Sequence, residues 1–133
     1  MRTAVWLFVA LAGSLAAGCS TPGSEPRATE PGPADDLLEV AGLLRDYTAE
    51  FRKGPARLAD VAKHEPLYTR GYQAVKSGAI VVVWGVPMVG EGAGTAVIAY
   101  EKKPETEGRN VLLQDGTIKR MTAEEFKAAP RAK

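Results

Sequence analysis

Apolar residues recur every three or four positions from Leu37 to Phe51, then gather into continuous runs beyond Ala79, so the chain passes from a helical to a strand period. Leu37, Val40, Leu44, Tyr47 and Phe51 make one stripe, and Glu39, Arg45, Asp46, Glu50 and Arg52 take the other faces. Asp36 and Glu39 stand in capping-box spacing, which predicts a helix opening at Asp36, and Gly54-Pro55 stops it. Pro55 suits the first turn of a short second helix with Leu58, Val61 and Ala62 inward and Pro66 at its end. Residues 67–78 read as an irregular or briefly helical connection over Tyr68, Tyr72 and Val75.

Ile80–Trp84 is the β-branched and aromatic run expected of a strand buried on both sides, and Thr95–Tyr100 repeats it. Asn110–Gln114 and Thr117–Met121 flank Asp115-Gly116, which predicts a hairpin with a type I′ turn. Thr122 with Glu125 forms a capping box, and Met121 with Phe126 a hydrophobic staple, so a short helix is expected over Ala123–Ala128. The expected fold is α+β: an N-terminal amphipathic helix and a short second helix packed on a four-stranded antiparallel meander, with a short C-terminal helix. No repeat at a period of about 20 to 50 residues interrupts this plan, so residues 35–133 read as a single domain.

Upstream the pattern is different. Ser20–Ala34 holds Pro22, Pro26, Pro31 and Pro33 with almost nothing apolar, and such a segment cannot bury enough surface to offset its ordering entropy. It reads as a spacer that could reach roughly 45 Å at ~3.1 Å per residue. Before it, Arg2 and the apolar run Ala4–Leu15 have the layout of a signal peptide, too short to cross a bilayer permanently. Leu15-Ala16-Ala17-Gly18-Cys19 resembles the lipobox of bacterial lipoproteins, with Ala16 where that family prefers Leu. The resemblance implies removal of residues 1–18 as a leader and lipidation of Cys19 with palmitate-type acyl chains. Residues 19–34 then become a lipidated tether. The expected partner is a bacterial membrane in the cell envelope, the outer membrane favoured by Ser20 in place of Asp, with the domain periplasmic or surface-facing.

Composition narrows the chemistry. Loss of Arg2 with the leader brings the 17 Lys and Arg to parity with the 16 Asp and Glu, which argues against a nucleic-acid partner. Cys19 is the only cysteine, so no disulfide staples the domain. Glu101, Glu105 and Glu107 alternate with Lys102, Lys103 and Arg109, as on a solvated loop rather than in a metal site. The glycines of Val89–Thr95 lead into a strand and not a helix, so they suit a hairpin loop rather than a phosphate-binding loop. Trp84 beside Gly85 and Pro87 could line a groove or simply close a strand. Glu124 and Glu125 belong to the capping box. His64, the one histidine, suits a general base chemically, but it sits at the charged end of a short helix, and Ser77 is the one serine in the folded part. The reading has no catalytic residue, no metal ligand and no cofactor.

Two further passages carry a resemblance. Arg52-Lys53-Gly54-Pro55-Ala56-Arg57-Leu58-Ala59-Asp60-Val61 is similar to the segment after the long helix of type II secretion pseudopilins. Val97–Lys102 followed by Asn110-Val111-Leu112-Leu113-Gln114-Asp115-Gly116 resembles the ending of small prepilin-like proteins of planctomycete-type bacteria. Glu105 stands where that family has His, and a lipobox replaces the prepilin cleavage site and its apolar helix. The resemblance implies a helix-plus-meander fold. The functional expectation is a lipid-anchored envelope protein with a non-catalytic binding or scaffolding role and an envelope protein as a candidate partner. The alternatives are an accessory subunit of a type II secretion or pilus-like assembly, and a small hydrolase using His64.

Overall fold

Pro33, not Asp36, opens the first helix. The structure, a computed structural model, describes residues 32–133; the leader, Cys19 and the tether as far as Pro31 lie outside the described residues. Helix α1 spans Pro33–Phe51. Proline at the first helical position needs no N–H there, and the Gly32 N–H donates to Asp35 Oδ2 at 2.7 Å. The last residues assigned to the tether are therefore helical. Leu37, Val40, Ala41 and Leu44 face the sheet, while Leu43 and Tyr47 turn towards Val61 on a second side. Phe51, expected in the buried stripe, is 43% exposed, stacked on Tyr47 and capped by the Lys63 ammonium.

The second helical element is a 3₁₀ segment, Leu58–Leu67, that begins after Pro55 and continues through Pro66. Pro55 is buried ahead of it with its carbonyl taken by the Gly85 N–H at 2.7 Å, while the Asp60 carboxylate accepts from the N–H groups of Ala56 and Arg57. Three residues per turn put Leu58, Val61 and His64 on one side, which leaves Ala62 exposed instead of inward. The connection that follows is more regular than its sequence suggests. Helix α2, Thr69–Lys76, lies against α1, and the Gly71 N–H donates to Glu39 Oε2 at 2.9 Å. A Cβ at Gly71 would sit 2.7 Å from the Glu39 Cβ, so only glycine allows this approach.

Four strands follow in meander order: β1 Ile80–Val82, β2 Val97–Glu101, β3 Arg109–Leu113 and β4 Ile118–Met121, all antiparallel. The α+β expectation holds, including the order of its elements. β1 is shorter than the run Ile80–Trp84, because the chain turns away at Trp84-Gly85, where Gly85 has φ +83°. Val81, expected to be buried, is only half-buried. The β3–β4 connection is not a type I′ turn: Gly116 alone has positive φ, at +90°, while Asp115 does not. The Gly116 N–H donates to Leu113 O at 2.9 Å and the Leu113 N–H to Thr117 O at 2.8 Å, the pattern of a type I turn closed by a glycine bulge. The Asp115 carboxylate accepts from the N–H groups of Thr117 and Gly92, which ties the turn to the β1–β2 loop.

Register places Val82, Ala99, Leu112 and Ile118 on the face under α1, and Val81, Tyr100, Val111 and Lys119 on the other. The second face carries its own cluster of Val97, Val111, Leu113, Met121 and Phe126. Phe126 comes from helix α3, Ala123–Ala128, opened by the expected box: the Glu125 N–H donates to Thr122 Oγ1 and the Thr122 N–H to Glu125 Oε2. Beyond α3 the tail returns to β2, where the Val97 N–H donates to Pro130 O and the Ala132 N–H to Val97 O. It thus occupies the flank of β2 that β1 leaves.

Candidate functional site

The second face of the sheet ends in an open recess of about 490 Å³ between β2, β3, α3 and the tail. Its apolar wall is Val81, Tyr100 and Phe126. The two rings meet edge to face at 4.8 Å, a favoured aromatic geometry. Around them stand five cationic side chains, Lys102, Lys103, Arg109, Lys127 and Arg131, and a single carboxylate, Glu105.

Both arginines lie against the same ring. The guanidinium carbons of Arg109 and Arg131 are 4.2 Å and 3.9 Å from the Phe126 centroid, and so no more than about 8 Å from each other. Each cation–π contact contributes about 0.5–2 kcal/mol. Two like charges at about 8 Å repel by roughly 2 kcal/mol at an effective dielectric of ~20, which offsets much of that gain. Among the described residues no carboxylate lies within 4.0 Å of either guanidinium. Arg109 is only 4% exposed; its Nη2 donates to Pro104 O at 2.8 Å, but its Nε has no partner, and neither has the buried Nη1 of Arg131. Buried donors are normally satisfied. These two depart from that rule, on side chains that line the recess.

The loop between β2 and β3 reads differently in three dimensions from the solvated stretch expected of it. Glu101 closes β2, is 4% exposed and accepts the Asn110 N–H at 2.5 Å. It is a structural carboxylate of the sheet, with Lys103 at 3.9 Å. Lys102, Arg109 and the residues from α3 and the tail meet only because the meander and the returning tail bring both ends of residues 100–131 together. Sequence reasoning missed them as a site. The one visible signal was the run after Phe126, where Lys127, Arg131 and Lys133 stand with no Asp or Glu among them.

His64 lies elsewhere. Its Nε2 is 3.6 Å from Glu50 Oε2, too long for a hydrogen bond, and Lys63 takes the same carboxylate. Ser77 bonds the Ala74 carbonyl and lines a groove with Asp36, at the other end of α1. Asp36 and Glu50 are roughly 20 Å apart along a helix rising ~1.5 Å per residue, so the structure does not bring Ser77 to His64. Trp84 packs against the core under α1. Among the described residues no three His, Cys, Asp or Glu side chains cluster for a metal.

A larger recess of about 700 Å³ lies beside the β3–β4 turn, but there one cation, Arg45, shares the lining with two carboxylates, Glu91 and Asp115. The Thr117 backbone N–H holds the Asp115 carboxyl below its ordinary range, so that group already serves the turn. The recess at Phe126 is smaller and carries the unbalanced charge. Comparison with protein-family models, with curated proteins and with solved structures finds no match to the chain.

Proposed function

We propose that the protein is a lipid-anchored component of a bacterial cell envelope whose domain is a non-catalytic binding module, with the recess at Phe126 as its binding site. The observation that carries the binding role is Arg109, buried beside an aromatic ring with an unpartnered Nε on the wall of an open, cation-rich recess. Such a wall offers cationic donors beside an apolar surface, the combination that suits holding an anionic ligand. The anchor rests on the lipobox-like Leu15–Cys19, and no helix among the described residues is long and apolar enough to cross a membrane.

A role as an accessory subunit of a secretion or pilus-like assembly would call for an extended apolar docking surface. Leu38, Phe51 and Leu67 are exposed, on α1 and at the end of the 3₁₀ segment, with Leu38 and Phe51 about 20 Å apart along α1. That spacing favours the ligand-binding role.

Two measurements test the reading. Membrane fractionation of Cys19→Ser is expected to move the chain from the pellet to the soluble fraction; a pellet that survives a salt wash would refute lipid anchoring through Cys19. Crosslinking in intact cells, followed by detergent extraction and mass spectrometry, is expected to capture a species that disappears in Lys102→Glu/Lys127→Glu. Capture that is indifferent to those charges would place binding away from the recess.

A further inference from the structure

We infer that the recess at Phe126 binds a phosphate group. This rests on the reading of the recess as the binding site and goes beyond it to the chemistry of the occupant.

Three observations converge. The first is donor geometry. Arg109 Nε and Arg131 Nη1 are both buried without partners, on guanidiniums that share one ring and so lie within about 8 Å of each other. Both side chains line the recess, and a tetrahedral anion with several acceptor oxygens is the group to which arginine is best matched. The second is charge. Lys103 is paired with Glu101, and the other four cations face one carboxylate, a surplus that suits a phosphate, which carries up to two charges as a monoester. The third is support. Phe126 and the Pro104 carbonyl hold Arg109 in place, so its donors are ordered before a ligand arrives and lose little freedom on binding.

Lys102 and Lys127 stand outside this pair and add long-range attraction that salt screens. Val81 and Tyr100 provide the flat apolar surface against which the organic part of a phosphate ester would rest. The phosphate could belong to a phospholipid headgroup, a diester with two free oxygens and one charge, or to a soluble monoester with three free oxygens and up to two charges; both offer the arginines unesterified oxygens.

The test is titration of the full mature chain in detergent with inorganic phosphate, followed by amide chemical shifts. Phosphate is expected to shift residues around Arg109, Phe126 and Arg131 at millimolar concentration. Binding should weaken at least about tenfold in Arg131→Gln, equivalent to ~1.4 kcal/mol. Arg131→Gln gives up the cation–π contacts with Phe126 and Tyr100, so a thermal melt in phosphate-free buffer verifies its fold. Shifts that are absent, that survive Arg131→Gln unchanged, or that succinate reproduces at the same concentration would overturn the inference. The source is separated by flotation of Cys19→Ser with vesicles of phosphatidylglycerol in phosphatidylcholine. Co-flotation competed by phosphate points to a lipid headgroup, and phosphate binding without co-flotation points to a soluble ester. If phosphate fails while the envelope crosslink remains sensitive to Lys102→Glu/Lys127→Glu, the binding reading stands and only the phosphate is wrong.

Discussion

The two faces of the sheet are built to different ends. Under α1 the packing is closed and largely aliphatic: Leu37, Val40, Ile98 and Leu112 are at most 1% exposed, and the buried carboxylate in register with Ile80, Glu101, accepts the Asn110 N–H. The opposite face has a smaller apolar cluster whose one aromatic from α3 is held by two guanidiniums. The first face gains stability from each contact, at about 25 cal/mol per Å² of apolar surface removed from water. The second keeps like charges together and leaves buried donors unmet, which costs stability. A domain with a sufficient core on one side can carry that cost on the other.

The contrast breaks most readily on the closed side. Leu112→Ala, at 0% exposure, is expected to lower the unfolding free energy by about 2–5 kcal/mol. Denaturant titration measures it, and a loss below about 1 kcal/mol would mean that stability resides elsewhere.

The turn tests whether backbone constraint rivals packing. Gly116 has φ +90° and its Cβ would meet Arg45 Nη2 at 2.6 Å, whereas Gly92, at φ +73°, has open space around it. Gly116→Val should cost about 1–3 kcal/mol and Gly92→Ala less, as read in paired thermal melts. Reversal of that order would dismiss the turn as a constraint on the sheet.

A third variant adds pH to the helical side. The Tyr68 hydroxyl donates to Asp46 Oδ2 at 2.8 Å, and this bond, with some burial, raises the phenol above its ordinary value. A raised value favours the protonated form in the folded state. The contribution is therefore complete below about pH 10 and lost as pH rises through the folded value. Tyr68→Phe should cost about 1 kcal/mol at neutral pH, with the gap closing in alkali. A gap independent of pH would assign the loss to packing instead.

The smallest effect sharpens the comparison most. Arg109→Met keeps the apolar stem against Phe126 and removes an unmet buried cation, at the cost of one bond to Pro104. In phosphate-free buffer its stability should change by no more than about 1 kcal/mol in either direction. A loss as large as that of Leu112→Ala would show that the guanidinium is structural and weaken the case for a binding role.

Much of the fold was legible because its signals are local. The stripe on α1, the box at Thr122–Glu125 and the staple of Met121 with Phe126 each depend on residues within a turn of one another. One misreading was a choice between neighbouring local signals, and others arose where distant groups took over. Asp36 lost the helix start to Pro33 and the Gly32–Asp35 bond. Asp115-Gly116 bends as a type I turn while the Asp115 carboxylate bonds Thr117 and Gly92, a partner 23 residues away. Glu101 proved to be a buried acceptor because β3 runs beside it.

The candidate site was the least legible part, for the same reason taken further. Helical and strand periods, caps, turn glycines and the proline-rich lead-in follow from the sequence alone, since each is decided by backbone preference and by which side of an element is apolar. The recess follows from no such pattern. Arg109 reads as one more charge on a loop until the meander sets it beneath α3, and Arg131 as a tail residue until Pro130 and Ala132 bond Val97. Charge is counted along a chain, but its meaning depends on which neighbours share the space and which carboxylates are absent from it. That is a property of the folded surface, and only the tertiary structure decides it.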